Sequence, residues 1–261
     1  MLILIAGITG FVGIPCAKAA IARGHKVRGL ARDASRLPKD VLDKLEGFES
    51  MSGYYDISAL DRAVAGVDAI INTMPANPES IMEGQLLLIR AAERAGVKPI
   101  YMFTGAIAEW YFRKSPYDWD SKTKTFSFHG PSTSPTRYTT AGDLANYVLE
   151  AITAPTAADG GYVCVQSFEA SPEDVVKAYN AARQGRITAN LKCLGTLEDA
   201  KAQLDHGRAI YSKRECYNYL WYTYQYYIPM RAWDYEPVDV ARFPNVKQTS
   251  LEEFFRQNPD V

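Results

Sequence analysis

The sequence has little from which to build a metal centre or a disulfide framework. Its four cysteines, Cys16, Cys164, Cys193 and Cys216, fall without CxxC or CxxH spacing, and there are only three histidines. Scattered thiols of this kind read as reduced core or surface residues, so no metal site is expected. There is no run of lysines or arginines, and the formal net charge is −1. That removes the electrostatic footprint nucleic-acid binding needs. No apolar stretch is long enough to span a bilayer, so no membrane partner is expected. The apolar N-terminus has no basic flank and is broken by Gly7 and Gly10, which reads as a strand and not a signal peptide. A cytoplasmic location is the expectation. Internal repeats, low-complexity tracts and linkers are absent too. What remains is a composition of 47% hydrophobic and 23% charged residues over 261 positions. That is enough for one large core with a smaller appended lobe.

The chain is organised around its first strand and the turn after it. Leu2-Ile3-Leu4-Ile5 is a run of four apolar residues, two of them β-branched, and reads as a strand buried on both faces. Gly7, Gly10 and Gly13 follow in GxxGxxG spacing, and a helix-like run begins at Ile14. Pro15 stands in its first turn, where a missing N–H costs little. A strand that turns through glycines into a helix makes an anion site. First-turn N–H groups point outward unpaired, and the helix dipole favours negative charge there. A Cβ at these glycines would force the turn open, block a pyrophosphate or hold the helix off the sheet. Gly7, Thr9, Gly10, Phe11, Val12 and Gly13 are therefore expected to cradle a dinucleotide. The plain alternative is a strand-to-helix turn without a ligand.

Lys26–Arg32 reads as the second strand, and its end is where a dinucleotide fold selects its cofactor. A carboxylate there suits the ribose 2′-hydroxyl of NAD, whereas an arginine suits a 2′-phosphate. Arg32 occupies that place, Arg36 stands near enough to assist, and Asp33 offers the competing carboxylate. The two arginines favour NADP(H).

Helices over 39–45 and 58–65, a short strand near 48–52 and a strand over 67–73 continue the alternation. Asn72 and Thr73 end that last strand and are expected to line the cofactor site, because ligands sit outside the carboxyl ends of such strands. A helix over 79–95 has Ile81, Leu88, Ala92 and Ala95 on one face, and Gly96 closes it. This rhythm predicts an α/β fold: a Rossmann-type doubly wound parallel sheet with a smaller C-terminal α/β lobe. Residues 1–261 read as a single NAD(P)-binding domain, with 1–112 mainly the dinucleotide core and 113–261 mainly a substrate lobe.

The turn Gly7–Gly13, the Arg32 strand end and Gly66-Val67-Asp68 before Ile70-Ile71-Asn72-Thr73 resemble the NmrA-like and isoflavone-reductase-like families. These are atypical short-chain dehydrogenases/reductases. Thr139–Tyr147 is similar to the segment before the family's late helix. Tyr235-Glu236-Pro237, Phe243–Val246 and Thr249–Phe254 resemble its C-terminal signature. The resemblance covers nearly the whole chain. It implies an NADP(H)-dependent oxidoreductase acting on an aromatic or polyketide-like small molecule of secondary metabolism.

One departure stands out. In the family, Gly96-Val97-Lys98 leads into a strand, then a loop and helix carrying the catalytic lysine, and only then a further strand. Here Lys98 runs directly into Pro99–Gly105, which looks like that later strand. A unit of roughly 30 residues, by the size of a βαβ element, is missing. The sheet is therefore expected to be one strand shorter, with 99–104 taking the parallel slot beside 67–73. The tyrosine–lysine pair of the broader superfamily is absent as well: no tyrosine has a lysine four residues on. Tyr111 and Lys114 are three apart, but Ser115-Pro116 ends any helix there. Tyr101, Tyr111 and His129 remain the candidates for a proton donor.

Lys122–Gly130 alternates like a sheet edge, and Ser171-Pro172 and Thr196 read as helix starts. Between Cys216 and Tyr227, six tyrosines and Trp221 fall on all sides of any helix. Such a surface suits an aromatic ligand, a homodimer contact or a regulatory protein partner, or else a phenol-rimmed core helix. Three functional readings follow: the oxidoreductase, an NAD(P)-sensing regulatory protein without turnover, and a non-redox isomerase or cyclase on the same scaffold.

Overall fold

The computed structural model describes residues 1–75, 77, 79–114 and 118–261, the side chain of Lys114 excepted. The Lys114 side chain and the Ser115-Pro116 step therefore lie outside the described residues. The chain begins β1 (Leu2–Ala6), α1 (Gly13–Ala22), β2 (Lys26–Ala31), α2 (Lys39–Leu42), β3 (Gly47–Ser50), α3 (Ile57–Val64) and β4 (Ala69–Asn72). A π-turn over Ser80–Gly84 leads into α4 (Gln85–Arg94), followed by β5 (Ile100–Phe103), β6 (Ala106–Ile107) and α5 (Ala108–Lys114). Then come β7 (Trp119–Asp120), β8 (Thr125–His129), β9 (Thr136–Thr139), α6 (Ala141–Thr153), β10 (Gly161–Cys164) and β11 (Phe168–Ala170). The last elements are α7 (Pro172–Ala182), β12 (Asn190–Gly195), α8 (Leu197–Ile210), α9 (Leu220–Tyr227) and α10 (Leu251–Gln257). Contacts divide the chain into two units, residues 1–102 with 144–163 and residues 103–143 with 164–261.

In the first unit four strands run parallel in the order β3-β2-β1-β4. β1 is buried on both faces, as its uninterrupted apolar run requires. Ile3 and Ile5 pack with Cys16, Ala17 and Ala20 of α1 and with Leu149 of α6. Leu4 and Ala6 face the other way, onto Leu60 and Ala63 of α3 and Leu88 and Ala91 of α4. Each fully buried leucine or isoleucine contributes about 1.5–3 kcal/mol. The doubly wound parallel sheet read from the sequence is the architecture present.

The helix expected over 79–95 is split. Its first turn is π, and Gly84 lies against Tyr54, where a Cβ would come within 2.6 Å of the ring. Gly96 closes α4 at φ +77°. The strand that follows does not take the slot beside β4. β5 pairs with β10 in a separate two-stranded sheet. Where the two strands meet, Gly160 and Gly161 take φ +70° and +110°, and Gly161 N–H donates to Pro99 O at 3.1 Å. A Cβ on Gly160 would meet that oxygen at 2.9 Å.

The second unit has two three-stranded sheets, β11-β9-β6 and β12-β8-β7. β8 is the central strand of the latter, not an edge, pairing parallel with β12 and antiparallel with β7. Its core is aromatic: Phe112, Trp119, Tyr138, Tyr179, Phe254 and Phe255 interlock. Ser171 and Thr196 cap α7 and α8 through reciprocal capping boxes, as their sequence context predicts. Among the described residues no helix is long and apolar enough to cross a membrane.

Candidate functional site

The turn after β1 is held by its own backbone. Gly7 takes φ +79°, its N–H donates to Leu30 O at 2.8 Å, and its carbonyl accepts Gly10 N–H at 2.9 Å. A Cβ on Gly7 would meet Thr73 O at 2.7 Å, and one on Gly13 would meet Gly7 O at 2.4 Å. Gly10 is different: its nearest neighbours would be Gly7 O at 3.1 Å and Thr73 O at 3.9 Å. So a side chain is barred outright at two of the glycines, and at the third it would crowd the Gly7 carbonyl. α1 then starts without a side-chain cap and without an acidic residue in its first turn. The N–H groups of Phe11 and Val12 donate to no acceptor among the described residues. Thr9 is half-buried on this turn and Phe11 is exposed. Unpaired donors, a helix dipole and no carboxylate make a place that fits a diphosphate.

β2 ends one strand away. Ala31 and Leu37 are buried, and residues 32–36 stand exposed between these two anchors, apart from a half-buried Ala34. Ser50 Oγ donates to Arg32 O at 3.1 Å, tying the arginine's backbone to β3. Asp33 caps the short turn Ala34–Arg36, accepting from Ser35 N–H at 2.8 Å and from Ser35 Oγ–H at 2.7 Å. These two bonds, with Arg36 nearby, hold the Asp33 carboxyl below its ordinary range. Neither Arg32 nor Arg36 pairs with a carboxylate among the described residues. The sequence reading passed over Ser35. Its signal was the Asp-x-Ser spacing of an Asx turn.

At the end of β4, Thr73 is locked onto β1. Its N–H and its hydroxyl both donate to Ala6 O at 2.8 Å. Asn72 is exposed, and its side-chain oxygen accepts Met74 N–H at 3.0 Å. The structure thus gathers Gly7, Gly10, Gly13, Thr73 and the β2 end around the carboxyl edge of one sheet, where ligands of such folds bind.

A family model described as NAD(P)H-binding matches residues 7–127. That stretch, a little under half of the chain, is what is similar to the family. Its fold is that of reductases and epimerases of the isoflavone-reductase type. A nucleoside-diphosphate-sugar epimerase from Staphylococcus aureus superposes with TM-score 0.72 at 16% identity, over 98% of this chain and 100% of the other. An isoflavone reductase gives 0.68 at 15% identity, covering 98% of each chain. Leucoanthocyanidin reductase from Vitis vinifera, solved with NADPH, gives 0.69 at 14% identity, over 98% and 99%. No curated protein matches the sequence.

Each candidate proton donor has its own surroundings. Tyr101 lies on β5 in the first unit, half exposed and stacked on Tyr162 at 5.5 Å. Tyr111, in the second unit, is buried with its phenol hydrogen-bonded to Asp118 and Tyr138. Burial, reinforced by the Asp118 charge, pushes it well above the ordinary phenol value. Gln225 Nε2 donates to Asp118 at 3.2 Å and completes this interior network. His129 is 1% exposed, and neither ring nitrogen has a hydrogen-bond partner among the described residues. Burial lowers its pKa, against the opposing pull of Asp199.

The tyrosine-rich stretch forms a ladder of rings. Trp110 stacks on Trp221 at 5.0 Å, Trp221 lies 5.7 Å from Tyr224, and Tyr224 lies 5.7 Å from Trp233. Trp233 in turn packs on Tyr227 at 5.4 Å. Trp233 is 51% exposed, and Trp110, Trp221 and Tyr224 are each partly exposed. The sequence named the α9 rings but missed Trp110 and Trp233, which join them only through the fold.

Proposed function

We propose that this reductase-like chain binds NADP(H) through Gly7–Gly13, Arg32, Arg36, Asn72 and Thr73 of its first unit. An aromatic small molecule binds the ring ladder of its second unit. The observation that carries the cofactor reading is the pair of unpartnered arginines at the end of β2, beside a carboxylate already committed to Ser35. A guanidinium free of carboxylate partners suits a 2′-phosphate, which it can meet with two parallel bonds. The nicotinamide, when bound, gives or accepts a hydride.

A reductase also needs a proton donor in reach of its substrate. Tyr111 and His129 are both buried, and the phenol of Tyr111 is spent on Asp118 and Tyr138. Their burial supports a second element of the reading: a protein that senses NADP(H), with slow or no turnover of simple ketones, aldehydes or isoflavone-type enones. Calorimetric titration with NADPH, NADP⁺, NADH and NAD⁺ tests the first part. NADPH absorbance in the presence of those substrates tests the second. The expected result is tighter binding of the phosphorylated pair and an unchanged absorbance. Robust substrate-dependent oxidation of NADPH overturns the sensor reading, and absence of any dinucleotide binding overturns both.

A further inference from the structure

The exposed segment between Ala31 and Leu37 carries one carboxylate, Asp33, and two arginines, Arg32 and Arg36, and the carboxylate pairs with neither. Asp33 instead spends both oxygens on Ser35, one on the backbone N–H and one on the hydroxyl, at 2.8 and 2.7 Å. An acidic residue at the end of the second strand ordinarily reads as a selector for NAD, holding the ribose hydroxyls and repelling a 2′-phosphate. The geometry at Asp33 assigns it the opposite task. We propose that Asp33 is a positioning residue for NADP(H): it folds the Ala34–Arg36 turn and so fixes Arg36 for the 2′-phosphate. This rests on the NADP(H) reading above and adds to it the residue that shapes the specificity loop.

Three observations carry the argument. First, the turn is short and poorly held by itself: inside it only Leu37 N–H to Ala34 O, at 2.9 Å, closes the backbone. Short 3₁₀ segments depend on such side-chain caps, because their own hydrogen-bond geometry is poor. Second, both ends are pinned. Ala31 carries Met51 N–H on its carbonyl at 3.1 Å, and Leu37 is buried in the core. The only free conformational choice lies at 32–36, where the cap acts. Third, the charge of Asp33 is exposed, so water and salt screen its repulsion of an incoming phosphate. Its geometric effect on the loop is not screened. Positioning therefore outweighs repulsion.

The two roles predict opposite signs for one substitution. Calorimetric Kd values for NADP⁺ and NAD⁺ are measured on the wild-type chain and on Asp33→Ala, Asp33→Asn and Ser35→Ala, with ligand-free melting as the folding control. If Asp33 positions the loop, Asp33→Ala weakens NADP⁺ by roughly 3- to 30-fold, the range of a lost cap, and leaves NAD⁺ nearly unchanged. Asp33→Asn, which still accepts the Ser35 N–H, recovers most of the NADP⁺ affinity. Ser35→Ala keeps the backbone bond and shows a smaller loss, which also secures the test if Asp33→Ala melts early. If Asp33 holds ribose hydroxyls instead, Asp33→Ala strengthens NADP⁺ and weakens NAD⁺, and the proposal is overturned. Unchanged affinity for both cofactors overturns it too. A wild-type chain that binds neither dinucleotide overturns the NADP(H) reading itself, a result distinct from any change among the variants.

Discussion

Gly13 lies so close beneath Gly7 that a Cβ on it would sit 2.4 Å from the Gly7 carbonyl oxygen. That contact separates the three glycines of the turn into two kinds. Gly7 and Gly13 are required for the chain to fold here at all, whereas a Cβ on Gly10 would press on the Gly7 carbonyl oxygen at 3.1 Å, tight but less prohibitive. Gly10→Val is therefore expected to abolish NADPH binding at a smaller cost in ligand-free melting temperature than Gly13→Val. Gly13→Val is expected to lower stability outright, because backbone rather than a flexible side chain stands in the way. Titration and thermal melting of the two variants check the division. Unchanged NADPH affinity in Gly10→Val would remove the turn from the cofactor site.

On the proposed NADP(H) reading, Arg32 carries the cofactor preference. Replacing it with alanine is expected to weaken NADPH by roughly 10- to 150-fold, the range for a charge-assisted bond to phosphate, with a much smaller loss for NADH. Equal losses for the two cofactors would mean that Arg32 does not read the 2′-phosphate.

His129 sets a pH dependence on stability. Its folded pKa lies below the ordinary value of about 6.5, because burial disfavours the imidazolium. The unfolded chain then binds the proton first as pH falls. Stability contributed by the neutral ring is complete above about 6.5, begins to be lost below it, and is fully lost once the folded value is passed. His25 is also held low, by partial burial and by the positive N-terminus and Arg23, so it contributes in the same window. Melting His129→Leu at about pH 7.5 and about pH 5 should show a smaller acid loss than wild type. An identical loss would place the acid sensitivity elsewhere.

Trp221 is the centre of the ring ladder, touching both Trp110 and Tyr224. Trp221→Ala is expected to cost about 1–3 kcal/mol of stability, from lost stacking and lost apolar burial at a partly exposed site. Its tryptophan emission should change, and affinity for planar aromatic ligands should fall while NADPH affinity holds. Retained affinity for such ligands would move their site away from the ladder.

How far the sequence reached can be argued element by element. The apolar run of β1, the glycine spacing after it and the strand–helix rhythm through α4 determined the parallel sheet, because each depends on neighbours within a few positions. Ser171 and Thr196 were legible as caps for the same reason: a capping box closes over three residues. The tertiary structure alone decided what depends on partners far along the chain. β5 leaves the place beside β4 and joins β10, some sixty residues on, where Gly160 and Gly161 permit a close approach that no local pattern signals. Tyr111 looked like a proton donor until Asp118, Tyr138 and Gln225 closed around its phenol. Asp33 looked like a competing NAD ligand, and only the fold shows its carboxylate turned onto Ser35. Periodicity and spacing specify local conformation, but the environment of a polar side chain is set by whichever distant groups the fold brings against it.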